Sequence, residues 1–119
     1  MSIRVNDVTY DAEYLNPDQF HLGAAGRKEL NGCIVFNMGK GHHSFWMKGC
    51  LIPLDIVFVS NNRISKIHTN CQPSGNQLNP PKFSGIGDHV LEFPAGTCSK
   101  WKIGDRVNMY LGTKLNPAF

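Results

Sequence analysis

The sequence predicts an α+β fold dominated by strands: a small, partly closed antiparallel β-barrel with one or two short helices at its edge. Three observations predict it. Two strand-like runs meet at Asn61-Asn62, residues that tolerate the positive φ of a tight primed turn. Short runs of strand character recur from Ile3 to Leu111, separated by Gly, Pro and Asn. Only two stretches, near Asn16 and near Ala95, read as helical. At 119 residues the chain is expected to form one domain, 1–119, with its own core.

The elements follow in order. Residues 3–10 alternate apolar and polar and read as strand, with a turn at Asn6-Asp7. Asn16-Pro17-Asp18 is a helix start, with Asn16 at the cap, Pro17 in the first turn and Asp18 favourable to the dipole. That helix runs through Leu22 and ends at Gly23 or Gly26. Gly32 introduces a strand over residues 33–36, residues 38–42 read as a loop, and Phe45-Trp46-Met47 as a second short strand. Residues 54–59 are nearly all apolar and predict a central strand. Residues 63–68 alternate and predict one wet face. Residues 72–82 form a loop, and Gly85-Ile86-Gly87-Asp88 is read as another, since no helix follows to make a phosphate cradle. Residues 90–93 are a strand, 95–101 one or two helical turns, Gly104-Asp105 a tight turn, and 106–111 the closing strand. The tail, 112–119, is irregular.

Composition narrows the function. An apolar fraction of 41% and a charged fraction of 18% describe a globular chain. The net charge of +3 comes from dispersed lysines and arginines, with no basic run, so no nucleic-acid footprint is expected. No stretch approaches the roughly 20 apolar residues of a membrane-spanning helix, so no membrane insertion is expected. Residues 1–7 lack the apolar core and cleavage site of a signal peptide. The four cysteines, Cys33, Cys50, Cys71 and Cys98, are widely spaced without a C-x-x-C pair, and buried thiols acting as small hydrophobes are the plain reading.

Six phrases in a fixed order carry a resemblance. They are Ser44-Phe45-Trp46-Met47-Lys48, Leu51-Ile52-Pro53-Leu54-Asp55-Ile56, Ile67-His68, Val90-Leu91-Glu92, Ala95-Gly96-Thr97 and Ile103-Gly104-Asp105-Arg106-Val107. Together they resemble the domain of unknown function 192 family, small bacterial, archaeal and phage proteins, over a core of about residues 20–111. Residues 22–30 look like a loosened form of that family's Gly-Leu-Met-x-Arg segment. The resemblance implies a compact β-rich domain and no established activity. Cys50 stands where the family commonly has Thr, and Cys71 and Cys98 where it usually has other residues. The cysteine pattern and short chain look like versions carried by marine bacteriophages.

The densest chemistry lies in residues 43–56. Phe45, Trp46, Met47, Leu51, Ile52, Leu54 and Ile56 favour burial; Lys48 and Asp55 do not, unless paired. Lys48 with Asp55 is either a recognition or acid–base pair, or a structural salt bridge closing a barrel end. His68-Thr69-Asn70-Cys71 has an H-x-x-C spacing, and with Cys50 it offers the N and S donors that zinc takes. A Cys50–Cys71 disulfide is a further alternative in an oxidising compartment.

The leading expectation is a non-enzymatic structural or binding module. Its most specific form is an accessory structural protein of a phage particle, in the host cytoplasm and the virion. It would dock through exposed aromatic and tail residues on a protein partner or on copies of itself. The alternative is a small-ligand or metal-binding protein, with enzymatic activity left open. It would use a pocket of Lys48, Asp55 and His68 beside Trp46, or metal ligands His68, Cys71 and Cys50. No cofactor is expected. If Lys48 and Asp55 are fold determinants, replacing either by Ala destabilises the domain equally.

Overall fold

A computed structural model describes residues 1–110; the tail lies outside the described residues. Among the described residues, seven strands form one sheet. They are β1 (Ser2–Val5), β2 (Val8–Leu15), β3 (Cys33–Trp46), β4 (Leu54–Ser60), β5 (Arg63–Cys71), β6 (Lys82–Pro94) and β7 (Val107–Tyr110), in the order β5-β4-β6-β3-β2-β1-β7. The two predicted hairpin turns form as the residue types require. Asn6 and Asp7 have φ of 49° and 69°, and Asn61 and Asn62 have φ of 52° and 62°.

The sheet is mixed, which corrects the antiparallel barrel. Residues 16–32 cross over and return the chain to the middle of β2, so Ala12 to Leu15 pair in parallel with Cys33 to Phe36. Gly32 is required at that return, because its φ is +76° and a Cβ would lie 2.2 Å from the Asp11 carbonyl oxygen. The sheet curls into a half-barrel. Among the described residues its edges approach at one end, where Ile64 N–H donates to Asp105 O at 2.9 Å and Val107 N–H to Asn62 O at 2.8 Å.

Other local expectations are also corrected. The glycine-rich residues 38–42 are not a loop: β3 runs through them as one strand of 14 residues, absorbing an irregularity between Asn37 and Gly41. Phe45-Trp46 is therefore the end of β3 and not a separate strand. Residues 85–88 lie inside β6, where the glycines admit close neighbours. A Cβ on Gly85 would sit 2.6 Å from the Phe58 ring, and one on Gly87 2.5 Å from the Val59 carbonyl oxygen. Residues 95–100 make successive turns, not a helix: Thr97 N–H donates to Pro94 O, Trp101 N–H to Cys98 O, and the Gly96 and Cys98 N–H groups to Asp55. The one helix among the described residues is a 3₁₀ segment, Pro17–Leu22, where the Gln19 side chain accepts from the Asn16 N–H at 3.1 Å.

Alternation along β3, β4 and β6 builds two cores back to back. Cys33, Val35, Val57, Val59, Leu91 and Phe93 join Ile3, Val5, Ile64 and Val107 inside the curl. Ile34, Phe36, Ile56, Phe58 and Val90 form the opposite face, with Leu30, Met47, Cys50 and Cys71. β4 is thus buried on both faces, as its nearly all-apolar run requires.

Candidate functional site

The outer face carries a cavity of about 500 Å³. Phe36, Met38, Ser44, Phe45 and Trp46 from β3 form one wall, and Phe20 and His21 of the 3₁₀ helix with Gly23, Ala24 and Ala25 form the roof. Arg27 clamps that roof. Its guanidinium donates to both Glu13 carboxylate oxygens, at 2.5 and 2.8 Å, and to the carbonyls of Leu22 (2.7 Å) and Gly23 (3.1 Å). These bonds hold the Glu13 carboxyl below its ordinary value, chiefly through the Arg27 hydrogen bond.

Glu92 on β6 also lines this cavity. The ladder places it between Ile34 of β3 and Ile56 of β4, in the middle of an apolar face. Only 4% of it is exposed. Burial pushes its carboxyl up to about 7, and the more distant Arg27 charge offsets only part of that. Among the described residues its side chain makes no hydrogen bond or ion pair. At the mouth, Trp46 is 49% exposed, and the Lys48 Nζ lies 5.3 Å from the centre of its ring. Lys82 faces Trp46 across the β3–β6 ladder and lines the same opening.

The expected site is thereby divided. Lys48 and Trp46 belong to the cavity, but Asp55 and His68 do not line it. Asp55 is wholly buried on the other side of β4 and points at the turns after β6. Its carboxylate accepts from the N–H groups of Asn70 (2.8 Å), Gly96 (2.9 Å) and Cys98 (3.1 Å), and from the Cys98 thiol (3.1 Å). No ion pair joins it to Lys48 among the described residues. Lys48 lies in the turn after β3, while Asp55 sits on β4 with its side chain on the face away from the cavity, which corrects the Lys48/Asp55 pairing. His68 packs edge-on against Phe58 and Phe83, with its Nε2 2.8 Å from the Ser84 carbonyl oxygen.

The metal set His68, Cys71 and Cys50 is not assembled. No group of three His, Cys, Asp or Glu side chains suited to a metal occurs among the described residues. The Cys71 thiol donates to the His68 carbonyl at 3.6 Å, while Cys50 lines the cavity. All four cysteines are buried free thiols, so the Cys50–Cys71 disulfide is absent. Burial pushes the Cys50 and Cys71 thiols to about 11, and those of Cys33 and Cys98 to about 12.

Glu92 escaped the sequence reading of candidate residues. Its signal was present in Val90-Leu91-Glu92-Phe93, one carboxylate inside an apolar strand. A second polar chain, Asp88 to His89 at 2.7 Å and His89 to Tyr14 at 3.4 Å, lies away from the cavity.

A curled mixed sheet with a crossover-roofed cavity on its outer face defines a class of small β-rich folds. The chain belongs to the domain of unknown function 192 family, described as uncharacterized ACR, which it matches over residues 3–109. The match takes in β1 and β2, beyond the core expected from the sequence. A solved protein of unknown function from Novosphingobium aromaticivorans DSM 12444 is 26% identical, with a TM-score of 0.77, over 91% of this chain and 84% of that one. A second solved structure, named as a proposed transcription regulator from Sinorhizobium meliloti 1021, is 25% identical. Its TM-score is also 0.77, over 90% of this chain and 91% of that one. No curated protein matches the sequence. No helix among the described residues is long and apolar enough to cross a membrane.

Proposed function

We propose that this chain is a non-enzymatic binding module for a small organic molecule, held in the cavity above Glu92. One observation carries the reading: a cavity of about 500 Å³ with mostly apolar walls has a buried carboxyl that no described residue satisfies. Apolar walls supply burial and a few polar groups fix orientation in sites of this size. Lys48 and Trp46 take ligand-binding roles at the mouth, and Glu92 takes the inner one. Binding is favoured over covalent catalysis because the Cys50 thiol, held near 11, stays protonated at neutral pH.

An accessory role in a phage particle is the second reading, favoured by apolar side chains left exposed at Leu51, Ile86 and Ile103. The dispersed positive charge gives no comparable reason to carry over the transcriptional role named for the Sinorhizobium relative. Native mass spectrometry of the protein from its own source, with a parallel thiol count, separates the two. A monomer carrying a small molecule that is lost on unfolding supports the binding module. A large, ligand-free assembly overturns it in favour of the particle component.

A further inference from the structure

We propose that the cavity takes a zwitterion, with an organic ammonium directed inward to Glu92 and an anionic group held at the mouth between Lys48 and Lys82. This rests on the small-ligand reading and names the chemistry of the ligand. The inner end calls for a donor. Glu92 sits between Ile34 and Ile56 with no hydrogen bond or ion pair among the described residues. Arg27, whose charge reaches it, spends four of its five N–H donors on Glu13, Leu22 and Gly23 and makes no bond to Glu92 among the described residues. An ammonium would supply both the missing donors and the opposite charge. The walls suit the same group, since Phe20, Phe36, Phe45 and Trp46 line the cavity and aromatic rings attract cations.

The mouth selects against a simple amine. Lys48 and Lys82 both line it, and neither is in an ion pair among the described residues. A monovalent cation would pass two like charges to reach Glu92. A ligand with an anionic outer end turns that repulsion into a contact. A simple carboxylate meets the converse difficulty, placing an apolar or negative end against Glu92.

Binding an ammonium favours ionised Glu92, so affinity rises with pH through the range where that carboxyl ionises and then levels off. The other titratable or charged groups around it are His21, Arg27, Lys48, Cys50, Cys71 and Lys82. The pH series is therefore run in parallel on His21→Gln.

The test is calorimetric titration of the intact chain with ω-amino acids of four to eight carbons, against the matching alkylamines and alkanoates. Anilinonaphthalene sulfonate serves as a general probe of the cavity, with Ala24→Trp as the variant that fills it. The best ω-amino acid is expected to bind roughly tenfold tighter than either monopolar analogue. Glu92→Gln, which keeps the side-chain shape, should weaken it roughly tenfold and flatten its pH dependence. Lys48→Ala with Lys82→Ala should erase its advantage over the amine. Equal binding by the alkanoate, or no effect of Glu92→Gln in a folded variant, overturns the proposal. Dye binding that Ala24→Trp abolishes, without ω-amino acid binding, overturns the zwitterion and leaves the cavity reading standing. Binding of neither probe overturns both.

Discussion

Glu92 makes the stability of this domain depend on pH in a direction opposite to that of most carboxylates. Its folded carboxyl is pushed up to about 7 from an ordinary 4.5. Between those values the folded chain holds a proton that the unfolded chain has released, so stability falls as pH rises through this window. The gap, at about 1.4 kcal/mol for each pH unit, corresponds to roughly 3 kcal/mol. Below 4.5 both states hold the proton, and well above 7 both have lost it, so the slope is confined to that interval. The perturbation is Glu92→Gln, which keeps the side-chain shape and removes the titration. Urea denaturation of both proteins from pH 4 to pH 9 gives two profiles, and their difference cancels the contributions of the histidines and other carboxylates. Wild type should lose about 3 kcal/mol relative to the variant between pH 4.5 and pH 8. Parallel profiles would mean that Glu92 ionises as an ordinary exposed glutamate, and the argument from its burial would fail.

The remaining predictions are independent of any ligand. Asp55→Ala should destabilise by about 3–5 kcal/mol, since it strands three N–H groups and a thiol, while Lys48→Ala should stay within about 0.5 kcal/mol, both read by urea denaturation. Equal losses would restore the paired-charge expectation. Gly85→Ala should cost about 1–3 kcal/mol by forcing the Phe58 ring aside, and an unchanged thermal midpoint would contradict that close approach. All four thiols should react slowly with a disulfide reagent at pH 8 in the native protein and rapidly in urea; one fast native thiol would refute their burial.

What was legible in the sequence was local. Asn6-Asp7 and Asn61-Asn62 declare their turns because few residues accept positive φ twice in succession. The nearly all-apolar run of β4, interrupted by Asp55, declares burial on both faces. The parallel β2–β3 pairing was not legible, because it depends on where a crossover returns and not on any residue type. The long β3 and β6 were hidden by their own glycines. Gly39, Gly41, Gly85 and Gly87 read as loop until the closeness of Phe58 and Val59 explains the last two. At the site, a charge amid apolar residues marks Asp55 and Glu92 alike. Only the fold distinguishes a carboxylate saturated by four donors from one left unmatched.

The crossover of residues 16–32 has an implication for how such a domain can diversify. It supplies the roof while contributing little to the antiparallel ladder, and Arg27 fastens it by a few side-chain bonds. Its side chains at Ala24 and Leu30 pack on the outer core, while its middle faces the cavity. On the small-ligand reading, exchange of the roof residues between relatives should change what the cavity admits while leaving the interior of the curl as it is.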